Sequence, residues 1–127
     1  DREAMADAIR RGLSFNLIHL SSGFKFDLFV AARHPTGREQ IARRERRLTG
    51  LLGGDPVEVE VISAEDIVLA KLLWFQAGDE VSERQWNDLR NLMRVQADRL
   101  DIDYLTLQAK QAGVGKLLAR LRAEAAS

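Results

Sequence analysis

The spacing of apolar residues changes once along this chain. Through Ile62 they alternate or fall in short runs, and from Ser63 onward they recur every three or four residues. Residues 2–11 (REAMADAIRR) read as a short helix closed by Gly12. Acids lie toward its start and Arg10 and Arg11 at its end, as the helix dipole favours. Residues 15–20 and 24–30 are strand-like, and the Ser21-Ser22-Gly23 gap between them predicts a hairpin. In the second run, period two sets Phe24, Phe26, Leu28 and Val30 on one face and Lys25, Asp27 and Phe29 on the other. That alternation suits a strand with one buried face.

His34-Pro35-Thr36-Gly37 breaks the pattern, and residues 38–48 then read as a solvated helix. Residues 50–56 follow as a loop, and residues 57–62 (VEVEVI) alternate as a half-exposed strand. In the second half, Ser63 followed by Asp66, and Ser82 followed by Gln85, resemble helix-capping boxes. The first opens the run from Ile67 to Phe75. The second opens a stripe of Trp86, Leu89, Leu92 and Met93. Tyr104, Leu105 and Leu107 mark a further helix ending near Gly113, and Val114, Leu117, Leu118 and Leu121 a last one. The expected fold is α+β: a small mixed or antiparallel sheet, made of a hairpin plus one strand, followed by a helical C-terminal half. Residues 1–127 are read as a single domain, with a sheet part over 1–62 and a helical part over 63–127.

Composition narrows the function classes. The chain has 127 residues, 46% of them hydrophobic, which suffices for a core. Its 19 basic and 19 acidic side chains balance to a net charge of zero, which argues against bulk binding to nucleic acid or acidic membranes. The absence of cysteine excludes disulfides, thiolate metal sites and a cysteine nucleophile. No apolar run approaches the roughly 20 residues that cross a bilayer. The expectation is a cytoplasmic protein with no membrane partner. The chain opens on Asp1-Arg2-Glu3 without an initiator methionine, so it reads as processed, trimmed or the later part of something longer, and the thinness of a three-stranded sheet points to an upstream piece.

Three residues stand out chemically. Asp27 lies mid-strand between Phe26 and Leu28, where β-propensity disfavours Asp. Its carboxylate is exposed, paired with Lys25, or a ligand for a hard cation such as Mg²⁺. Lys71 follows Ile67 and Val68 by one helical turn, so it either snorkels beside the apolar stripe or offers a charge to a nucleotide phosphate. Arg84 and Asp88 are spaced i,i+4, which fits an intrahelical ion pair. Arg43, Arg44, Arg46 and Arg47, with Arg38 upstream, form the one basic cluster. Glu39 and Glu45 dilute it, and it reads as a solvated helix face rather than a nucleic-acid footprint. His19 and His34 lack zinc-site spacing and any local triad partner.

The order of four segments carries a resemblance. Ser14-Phe15-Asn16-Leu17-Ile18-His19, then Gly23-Phe24-Lys25-Phe26-Asp27-Leu28-Phe29, then Ser63-Ala64-Glu65-Asp66 through Lys71-Leu72, then Ser82-Glu83-Arg84-Gln85-Trp86-Asn87-Asp88 resembles bacterial nucleotidyltransferase-like proteins. These belong to the polymerase-β-like superfamily, near the abortive-infection nucleotidyltransferase toxins. The resemblance implies a two-metal, Mg²⁺-dependent transfer of a nucleotide from an NTP to an acceptor hydroxyl. It also implies that Asp27 is a metal-binding catalytic carboxylate, Lys71 a phosphate contact and Asp88 a further catalytic or polar site residue. The superfamily's other two carboxylates come from a G-S…D-x-D segment, which this sequence lacks. The chain is therefore expected to be the C-terminal two-thirds of such a fold, inactive or very weak alone. The competing expectation is a non-catalytic interaction module, a degenerate relative or toxin–antitoxin component. It would bind a protein partner or a second copy through an apolar face such as Leu117, Leu118 and Leu121, although packing of these residues on the sheet is the simpler reading.

Overall fold

The structure is a computed structural model that describes residues 1–33, 36–50 and 53–127. His34 and Pro35 of the expected break, and residues 51–52 of the expected loop, lie outside the described residues. The chain forms two compact units, residues 1–41 and 42–127. Across both, the described residues form six α-helices and two two-stranded antiparallel hairpins. The class is α+β, as expected. The hairpin plus one strand is corrected to two separate hairpins.

In the first unit, α1 (Arg2–Arg11) starts on Asp1, whose side chain accepts from the Glu3 backbone N–H at 2.9 Å. It ends at Gly12 in the left-handed region, φ 68°, where an ordinary side chain would be strained. β1 (Phe15–Ile18) and β2 (Lys25–Leu28) pair with Phe15 opposite Leu28 and Asn16 opposite Asp27. Both strands are shorter than their apolar runs. The turn is closed by backbone bonds between His19 and Phe24 and from Gly23 to His19, with Gly23 at φ 72°. This register puts Phe15, Leu17, Phe26 and Leu28 on one face. That face is not the buried one that alternation suggests: Phe26 is 56% exposed and Leu17 40%. A two-stranded ribbon needs a second layer to bury a face, and the described residues leave this one open.

The short helix α2 (Gly37–Ala42) spans the boundary between the units. Gly37 is buried, and a Cβ there would collide with the Ala31 carbonyl, so no larger residue fits without a shift.

The expected helix over 38–48 does not continue. After Ala42 the chain becomes β3 (Glu45–Thr49), paired antiparallel with β4 (Val57–Val61). Arg46 stands opposite Glu60 and Leu48 opposite Glu58. Arg44 contacts Glu60 at 2.8 Å and Arg46 reaches Glu58 at 3.4 Å. Cross-strand charge complementarity thus explains a strand where local composition suggested a helix.

The rest of the second unit is a four-helix body: α3 (Ala64–Ala77), α4 (Glu83–Gln96), α5 (Ile102–Gln111) and α6 (Gly115–Ala125). Ser63 and Ser82 cap α3 and α4 by accepting the N–H of Asp66 and Gln85. Leu69 and Leu72 of α3, Leu89 of α4, Leu105 of α5 and Leu121 of α6 are wholly buried and pack into one core. Each contributes roughly 1.5–3 kcal/mol of transfer free energy relative to exposure. Leu117 and Leu118 lie in the same core, so the apolar face expected to receive a partner is already covered by this chain's own helices.

Candidate functional site

Asp27 belongs to the first unit. It sits in the middle of β2, and its carboxylate meets the Lys25 ammonium at 3.3 Å, with both side chains about half exposed. Lys25 and Asp27 share the face opposite Phe26, because strand side chains alternate. An exposed pair of this kind adds little stability. Asp27 is thus half-exposed and paired with Lys25.

Lys71 and Asp88 belong to the second unit, on the adjacent helices α3 and α4. Lys71 is half-buried beside Val68 and Leu72, and among the described residues it makes no hydrogen bond or ion pair. Asp88 is exposed. The expected Arg84–Asp88 ion pair is not formed. Exposed side chains at i,i+4 can reach one another, but the gain is too small to hold two hydrated groups together. Arg90 instead donates to the Asn87 side chain and faces Glu124 of α6 at 3.8 Å.

The resemblance implies magnesium, and the described residues do not fit it by themselves. No group of three or more His, Asp or Glu side chains that could hold a metal is gathered among them, and Asp27 pairs with the Lys25 ammonium. A two-ion site needs several carboxylate oxygens around each pair of ions.

The basic cluster is largely neutralised. Arg44 and Arg46 pair with Glu58 and Glu60, and Arg47 pairs with Glu45. Arg43 turns to a different place. Its guanidinium lies 3.6 Å over the Tyr104 ring and 3.9–4.0 Å from the carboxylates of Asp66 and Glu65. Asp66 is fully buried. Its Oδ1 accepts the Tyr104 hydroxyl at 2.8 Å, while Oδ2 has no hydrogen-bond donor among the described residues and lies 3.9 Å from Arg43 Nε. Glu65 accepts the backbone N–H of Asp101, the residue that caps α5, at 2.7 Å. Both carboxylates lie in the first turn of α3, where the helix dipole favours negative charge.

Sequence reasoning missed this cluster. The sequence suggested a closed box in which Asp66 turns back toward Ser63. The structure keeps the bond from the Asp66 N–H to Ser63 and gives the carboxylate to Tyr104, 38 residues away. The available signal was a pair of acids opening an apolar helix together with the chain's single tyrosine.

A second polar group surrounds Glu124. Trp86 Nε1 donates to its Oε2 at 2.7 Å and Arg120 Nε to its Oε1 at 2.9 Å. Those bonds, the Trp86 bond first, hold the Glu124 carboxyl below its ordinary pKa. Arg120 also stacks over the Trp86 ring at 4.4 Å. The group lines a cavity of about 340 Å³ at the start of α4, in which Glu124 already engages both Arg90 and Arg120. It fastens α6 to α4.

Among the described residues, no helix is long and apolar enough to cross a membrane. No family model, curated protein or solved structure matches this chain.

Proposed function

We propose that this chain is part of a nucleotidyltransferase-like protein that transfers a nucleotide from an NTP to an acceptor hydroxyl. Asp27 would serve as a metal-binding carboxylate. Lys71 would neutralise nucleotide phosphate, and Asp88 would be a further polar site residue. The observation that carries the reading is Asp27 itself, a carboxylate fixed on a strand between apolar neighbours and left facing solvent. Lys71 adds support as a half-buried cation whose charge no acid among the described residues neutralises. One carboxylate does not make a two-ion site, so the chain supplies one ligand and the remaining carboxylates must come from outside the described residues. Alone, these 127 residues are expected to be inactive or very weak.

The test is titration of the native protein with Mg²⁺ and NTP together. Binding should fall about tenfold or more in Lys71→Ala, and its metal dependence should vanish in Asp27→Asn while the circular dichroism spectrum stays unchanged. No response to NTP and Mg²⁺ in the native protein sinks the reading. The second reading, a non-catalytic interaction module, is favoured by the exposed Leu17–Phe26 face of the first hairpin. Under it, Asp27→Asn leaves partner binding intact.

A further inference from the structure

The second unit carries a groove that none of the roles above uses. It lies between the C-terminal parts of α4 and α6 and the start of α5, with a cavity volume of about 560 Å³. Ile102 and alanines of α6, among them Ala119 and Ala123, supply its apolar surface, above Met93 and Leu100, which are buried in the core beneath. The only charged residues among its lining are Arg94 of α4 and Arg122 of α6.

Six of the ten arginines in this unit are neutralised among the described residues; Arg84, Arg99 and these two are not. Arg43, Arg44, Arg46, Arg47, Arg90 and Arg120 each face a carboxylate. Arg94 and Arg122 are exposed and, among the described residues, have no ion pair or hydrogen bond. Each lies near the C-terminal end of its helix, where a cation complements the dipole. That accounts for one positive charge per helix end but not for an apolar trough between them. An apolar trough rimmed by unpaired cations, with no acid in its lining, is complementary to a helix that is apolar on one face and acidic along its flanks.

We propose that this groove docks an acidic amphipathic helix of a partner protein. The apolar face of that helix covers Ile102 and the alanines of α6, and its flanking carboxylates pair with Arg94 and Arg122. The alanine wall lets the incoming backbone approach closely, as small residues do between packed helices. The proposal is independent of Asp27 and of nucleotide chemistry.

The test uses fluorescein-labelled helical peptides read by anisotropy: a leucine/glutamate amphipath and its leucine/lysine counterpart with the same apolar face. The native protein should bind the acidic peptide at least about tenfold more tightly, with an affinity that falls as salt rises. The double variant Arg94→Glu with Arg122→Glu should reverse the preference, and Arg94→Gln with Arg122→Gln should abolish it. Both pairs are exposed, so the far-UV spectrum and melting curve should be unchanged. Equal binding of the two peptides, no binding, or a preference that survives charge reversal overturns the proposal. So does sedimentation showing the native chain as a dimer that the Glu variant breaks, because the groove would then be covered by a second copy.

Discussion

The Tyr104 hydroxyl donates to Oδ1 of Asp66 across 2.8 Å, joining the first turn of α5 to the first turn of α3. Asp66 is fully buried, so this bond satisfies a carboxylate oxygen that water does not reach. Tyr104→Phe keeps the ring beneath Arg43 and removes only the donor. It should cost about 1–3 kcal/mol, the range for leaving a buried acceptor unsatisfied. Urea denaturation checks this, with a lowered midpoint and an unchanged slope.

Arg43 and Arg46 are three residues apart in sequence and differ in what they face. Arg43 lies over Tyr104 and against the buried Asp66, whereas Arg46 pairs with exposed Glu58. Arg43→Met leaves a buried carboxylate without its cation and should cost roughly 2 kcal/mol or more. Arg46→Met should cost less than about 1 kcal/mol, and that cost should shrink in high salt. Thermal melts of the two variants at low and high salt distinguish them. Equal costs would contradict the buried role of Arg43.

Glu124 predicts an acid-side change in stability. Its folded pKa lies below the ordinary 4.5, chiefly because Trp86 and Arg120 hydrogen-bond the charged form. A lowered folded pKa means the stabilisation is complete above the ordinary value. It is lost as pH falls through the folded value. Glu124→Gln should therefore be less stable than the native chain at pH 7, with the difference narrowing below pH 4.5. Melting curves across that range check the sign.

Much of the helical half is legible because its cues are local. Gly12, Ser63 and Ser82 end or begin helices where the sequence places them, and the core leucines follow helical spacing. The turn at Gly23 is equally local. Strand β3 was not legible in the same way. Arg44 and Arg46 suit a helix by propensity, and their partners Glu58 and Glu60 lie across the hairpin on β4. The alternating glutamates of VEVEV were the clue, since they put two acids on one face of β4 within reach of Arg44 and Arg46. The polar cluster around Asp66 escaped for the same reason, because Arg43 and Tyr104 lie far from it in sequence. Of the residues singled out for chemistry, Asp27 pairs with Lys25, as its spacing allowed, Lys71 has no acid partner among the described residues, and the Arg84–Asp88 spacing described a contact the side chains do not make.

The central claim is that Asp27 belongs to a nucleotidyltransferase site. The most direct measurement is transfer of α-³²P label from each NTP by the native protein with Mg²⁺, compared with its Asp27→Asn variant under the same conditions. The account predicts labelling that requires Mg²⁺ and disappears in Asp27→Asn while the variant keeps its fold. Labelling that persists at the native level in Asp27→Asn, or no transfer from any NTP, would contradict it.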